Sequence, residues 1–135
     1  MKTWHVIILT IALLAALSAV AAENPENRKA AVPKYDARTE ATFKGTVVEV
    51  TDRNCPVSGG MGSHIILKVG EKTIEIHLAA TKFVKTYELV FNKGDAIEVI
   101  GSKVKFEDVD TIFAREIHRG NDTFVFRDKD GKPIW

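Results

Sequence analysis

Two alternating runs that meet at a single glycine constrain this chain more than any other feature. Ser63-His64-Ile65-Ile66-Leu67-Lys68-Val69 leads into Gly70-Glu71, and Lys72-Thr73-Ile74-Glu75-Ile76-His77-Leu78 follows. A Gly-X pair between alternating runs predicts a two-residue type II′ hairpin, because glycine accepts the positive φ that the first turn position demands. Val69 then pairs with Lys72, and His64 falls directly opposite His77. In that register Ile65, Leu67, Ile74, Ile76 and Leu78 share an apolar face, while His64, Ile66, Lys68, Thr73, Glu75 and His77 share a mostly polar one. Such a pair of faces is expected of an antiparallel ribbon with one side on a core and the other in water.

The ends of the chain bear on its destination. Lys2 precedes an apolar run from Val6 to Leu17, and small residues from Ser18 to Ala22 come before polar Glu23. That order predicts a secretory signal peptide over residues 1–22, cut near Ala21 or Ala22, and a periplasmic or secreted protein. The apolar run is short for a span of roughly 20 residues, so no membrane span is expected in the mature form. Residues 23–40 carry Pro25 and Pro33 without periodicity and read as a flexible leader, leaving 41–135 as one domain. Without Lys2 the 19 Lys and Arg become 18 against 18 Asp and Glu, a net charge of zero. Nucleic-acid binding is thereby disfavoured, since such proteins usually carry a basic excess.

The rest of the pattern is β-rich. A first strand spans Ala41–Val50, with Gly45 marking a bulge or barrel corner. A loop, Thr51–Gly62, precedes the hairpin. Thr81 opens a helical pattern in which Phe83, Val84, Tyr87, Val90 and Phe91 form a stripe and Gly94 ends the segment. This stripe is expected to plug a barrel end. Strands follow over 95–104, 111–118 and 123–127, with Gly120-Asn121 as a second tight turn and Trp135 closing a tail that folds back. The expectation is an all-β fold with one short helix: a five-to-six-stranded OB-fold Greek-key barrel, helix between strands 3 and 4.

The chain resembles small exported bacterial OB-fold proteins. The segments that carry the likeness are Gly45-Thr46-Val47-Val48, Gly94-Asp95 through Gly101-Ser102, Ala114-Arg115-Glu116-Ile117, and Phe126 through Trp135. The likeness covers roughly the last two-thirds of the chain. It implies the barrel and export and brings no reaction with it. The stretch Cys55 to Met61 departs from better-known members, so no functional residue carries over onto it.

Cys55 is the only cysteine and cannot form an intramolecular disulfide. Together with Met61 it sits in the loop that ends at His64, and Gly59, Gly60 and Gly62 let that loop fold over the strands. Cys55, Met61, His64 and His77 are therefore the candidate metal ligands. A thiolate and a thioether are soft and imidazole is borderline, which suits copper, with zinc next. Glu75 shares the His77 face and can orient a ring, and His118 is a more remote candidate. The bland alternative makes the histidines ordinary polar residues on a wet face, worth roughly 0.2–1 kcal/mol as a cross-strand pair. No triad spacing accompanies Cys55, so no enzyme activity is expected. The expected role is a binding module for a small ligand or metal ion. An envelope protein partner and an oligonucleotide or oligosaccharide are the rival ligands.

Overall fold

The computed structural model describes residues 31–135; the expected signal peptide and residues 23–30 of the expected leader lie outside the described residues. The elements run β1 (Glu40–Cys55), β2 (Gly60–Val69), β3 (Lys72–Ala80), α1 (Thr81–Thr86), β4 (Ala96–Phe106), β5 (Val109–Arg119) and β6 (Asp122–Val125). The sheet order is β3-β2-β1-β4-β5-β6, and a further β3–β5 pairing joins its two sides. That pairing is parallel, from Glu75↔Thr111 to His77↔Phe113, and it closes the first five strands into a ring. All other pairings are antiparallel, and β6 hangs on β5 as a hairpin through Gly120-Asn121. The all-β expectation with one short helix between strands 3 and 4 is what the chain adopts.

β1 belongs to both sides of the ring. Its first half pairs with β4 from Glu40↔Ser102 to Thr46↔Ala96, and its second half pairs with β2 from Thr46↔Lys68 onward. The changeover is possible because Gly45 has no side chain: a Cβ there would strike the Lys68 carbonyl oxygen and sit 3.0 Å from Leu67 Cγ. Inside the ring, Val47, Ile65, Leu67, Ile76, Val99, Ile112, Ile117 and Phe126 are buried together, and Trp135 packs against them as the tail folds back. Among the described residues, no helix is long and apolar enough to cross a membrane.

The central hairpin has the expected register, with Val69↔Lys72 and His64↔His77 paired and Gly70 at a φ of 59°. Beyond His64 the ladder shifts by one residue, so that Ser63 meets Ala79.

Three regions differ from their sequence reading. β1 runs to Cys55 and β2 begins at Gly60, so the expected loop shrinks to a 3₁₀ turn at Pro56–Ser58. The ladder persists through Thr51↔His64 to Cys55↔Gly60, and Gly62 serves close approach, since a Cβ there would lie 3.1 Å from Cys55 Cβ. Likewise β4 and β5 extend until only Glu107-Asp108 joins them, both at positive φ. The helix stops at Thr86 because Glu88 turns left-handed at a φ of 52°, which leaves Tyr87 and Val90 exposed instead of in the core.

Within the expected leader, Asp36 caps a short 3₁₀ turn at Ala37–Thr39, and its N–H donates to Ser102 Oγ at 3.0 Å. Tyr35 donates its hydroxyl to Glu40, the residue that opens β1.

Candidate metal centre

Three strands each deliver one donor to the same spot. His64 on β2 and His77 on β3 are cross-strand partners, with ring centroids 4.2 Å apart and planes inclined by 72°. The prolonged ladder of β1 brings Cys55 over them, and its Sγ lies 3.4 Å from His77 Nδ1. One donor atom from each of Cys55, His64 and His77 lies within 4.8 Å of the others.

This face is expected to be wet, and at its His64–His77 end it is dry, while Lys68 and Thr73 farther along it are exposed. His64 is 0 %, Cys55 1 % and His77 2 % exposed. The reason is the length of the two hairpins: the β1–β2 end supplies Cys55, and the β4–β5 end supplies Phe106. Phe106 and Phe113 stand 6.0 and 5.2 Å from His77 by ring centroid. Met61 takes no part in the trio. It pairs with Asn54, between Gly60 and Gly62 in the alternation of β2, and is 53 % exposed. His118 lies on β5 opposite Glu98 and is engaged by Glu116.

Burial without hydrogen bonds sets the electrostatics. His64 Nδ1, His64 Nε2 and His77 Nε2 are all buried and have no hydrogen-bond partner among the described residues. Glu75 Oε1 approaches His64 Nδ1 at 2.9 Å without hydrogen-bond geometry, and its 3.9 Å separation from His77 Nε2 is too long for a hydrogen bond. Burial pulls the His77 pKa down to about 3, helped by the nearby His64, Arg53 and Arg127 charges. Burial also lowers that of His64, against the opposing pull of Glu75. Both rings are therefore neutral at pH 7, with lone pairs free of protons. Glu75 is itself tied to Arg53, which closes the edge of the site.

The donor chemistry fits a metal ion. Tetrahedral zinc, with Zn–S near 2.3 Å and Zn–N near 2.0–2.1 Å, would hold sulfur and nitrogen roughly 3.6 Å apart. The Cys55–His77 separation of 3.4 Å is already close to that. An unsatisfied buried N–H or lone pair otherwise costs about 1–3 kcal/mol, and this site has three such nitrogens. The same thiol and imidazole could in principle form a nucleophile and base, with Glu75 behind the ring. Both groups are buried, and a ring held at about 3 is a poor base at neutral pH.

Sequence reasoning missed Arg53, Phe106 and Phe113, which close the pocket. Arg53 alternates with Thr51 and Cys55 along β1, so a strand read through to Cys55 would have placed it beside the histidines. Against known proteins, comparison with curated sequences finds no match. The chain belongs to the MamS/MamX magnetosome protein family, which matches residues 39–124 and so includes all three donors.

Proposed function

We propose that this member of the magnetosome family is a non-enzymatic binding module that holds one transition-metal ion between Cys55, His64 and His77. The observation that carries the reading is a buried thiol and two buried imidazoles within 4.8 Å, three of whose nitrogens have no hydrogen-bond partner. One thiolate and two imidazoles suit copper or zinc. With Met61 outside the trio there is no thioether to complete a copper centre, and three protein ligands with a fourth place left for a small ligand favours zinc.

The barrel is read as an OB-fold, whose ligands commonly meet strands 2 and 3 and the loops joining strands 1–2 and 4–5. The trio sits at that place. Export through the expected signal peptide would put Cys55 in an oxidising compartment, where metal coordination protects a lone thiol. The rival reading, an oligonucleotide or oligosaccharide binder, needs an open strand 2–3 face with stacking aromatics. Here that face is capped by Cys55, Phe106 and Phe113 at the histidines.

The test is titration of the metal-stripped chain with zinc and copper, read by calorimetry and native mass spectrometry. One ion per chain is expected. Cys55→Ser should lose more affinity than the about 10–100-fold that changes outside the ligands produce. Equal affinity of wild type and Cys55→Ser would overturn the reading.

A further inference from the structure

Phe113, which packs against His77, also lines a separate cavity. This cavity of about 320 Å³ is lined by Lys34, Tyr35, Phe113, Arg127 and Lys132, with Val57 among its apolar walls. Arg127 is 2 % exposed, yet no carboxylate forms an ion pair with it among the described residues. Its Nη1 donates to the carbonyls of Ala114 and Leu78, the latter at 3.5 Å, while Nε and Nη2 make no hydrogen bond among the described residues.

A buried cation without a counter-ion is costly. Part of that cost is offset by aromatic faces, since the guanidinium carbon lies 4.7 Å from the Trp135 ring, 5.4 Å from Phe113 and 5.9 Å from Tyr35. Burial draws the Arg127 pKa down to about 10, which still leaves it charged at neutral pH. Lys34 and Lys132, both exposed, add positive charge at the rim. The acid in the lining, Asp130, is exposed and held by Lys129 at 2.9 Å. The cavity is thus built around an unpaired guanidinium edge, with positive charge at its mouth and apolar walls.

We propose that this cavity binds a small organic carboxylate, its two oxygens on the free Nε and Nη2 edge of Arg127 and its carbon skeleton against Val57 and the neighbouring apolar walls. The planar fork of arginine matches a carboxylate in this bidentate way. The volume sits at the small end of the roughly 300–1,000 Å³ usual for ligand pockets. The proposal does not rest on the metal reading, because Cys55, His64 and His77 do not line this cavity.

The experiment is calorimetric titration of the metal-stripped full chain with succinate, at low ionic strength and neutral pH. Saturable one-to-one binding is expected, and the uncharged succinamide should not bind. Arg127→Lys should weaken binding at least about tenfold by removing the fork. Should that variant fail to fold, the paired surface substitutions Lys34→Gln and Lys132→Gln test the site without touching the core, with a several-fold loss expected. Cys55→Ser should leave succinate binding unchanged even though it weakens metal binding. No saturation up to about 10 mM, near the weak limit of a specific site, would overturn the proposal. So would binding that the Lys34 and Lys132 substitutions leave unaltered and that inorganic phosphate matches.

Discussion

Cys55 Sγ lies 3.4 Å from His77 Nδ1, and both residues are closed off from solvent. Nothing local brings them together. β1 must remain paired with β2 all the way to Cys55↔Gly60, and β2 must remain in register with β3 at His64↔His77. The site is thus a product of three strands in one ladder, and it will report on that ladder's integrity as well as on ligands.

Metal-free stability should fall as the solution is acidified from neutral. In the fold His77 titrates at about 3, against an ordinary value of 6.5. The folded state therefore binds fewer protons than the unfolded one, so this contribution is fully present above about pH 6.5 and is lost toward pH 3. Between pH 8 and pH 5 His77 alone should remove about 2 kcal/mol, and His64 shifts in the same direction. Urea unfolding at the two pH values checks this, and His77→Gln should flatten the dependence.

The native thiol should be slow to react. Cys55 is 1 % exposed, so alkylation must wait for local or global opening. The rate of modification should rise sharply in denaturant and fall further when zinc is added. Fast modification of the folded, metal-free chain would show that the β1–β2 end does not cover the site.

Glu75→Gln should weaken metal binding by about 10–100-fold while leaving one ion per chain. The carboxylate lies 2.9 Å from His64 Nδ1, and metal binding at the other ring nitrogen would let Nδ1–H turn toward it. Loss of its ion pair with Arg53 should matter little to folding, because Arg53 is 46 % exposed on its side chain. Chemical denaturation separates the two effects.

Gly45→Ala should cost about 1–3 kcal/mol, well above what helix or strand propensity explains. The added methyl group would meet the Lys68 carbonyl, which is backbone and cannot swing aside. The same substitution at Gly60, where a Cβ meets nothing within 4 Å, is the matched control and should be nearly neutral.

Much of the fold was legible because its determinants are local. Gly70 dictates its turn by conformational preference, and the alternation on either side dictates the faces, so the His64–His77 pairing followed from counting. Gly45 announced the bend for a similar reason. What could not be read was set by contacts distant in sequence. Glycines at 59, 60 and 62 look like loop residues, but Gly60 and Gly62 lie in a ladder that tertiary pairing extends. Glu107-Asp108 turns without any glycine, which hid the length of β4 and β5 and with it the burial of the histidine face. The aromatic stripe after Thr81 has helical spacing, yet the chain leaves the helix at Tyr87 and only Phe91 of the later residues is buried. The reading of Met61 as a ligand depends on a long loop; that loop shrinks to the turn at Pro56–Ser58, and strand alternation turns Met61 outward.

The most direct measurement is X-ray absorption spectroscopy of the zinc-loaded chain. The account predicts a shell with one sulfur near 2.3 Å and two imidazole nitrogens near 2.0–2.1 Å, the sulfur disappearing in Cys55→Ser. A shell of nitrogen and oxygen alone in the wild type would contradict it.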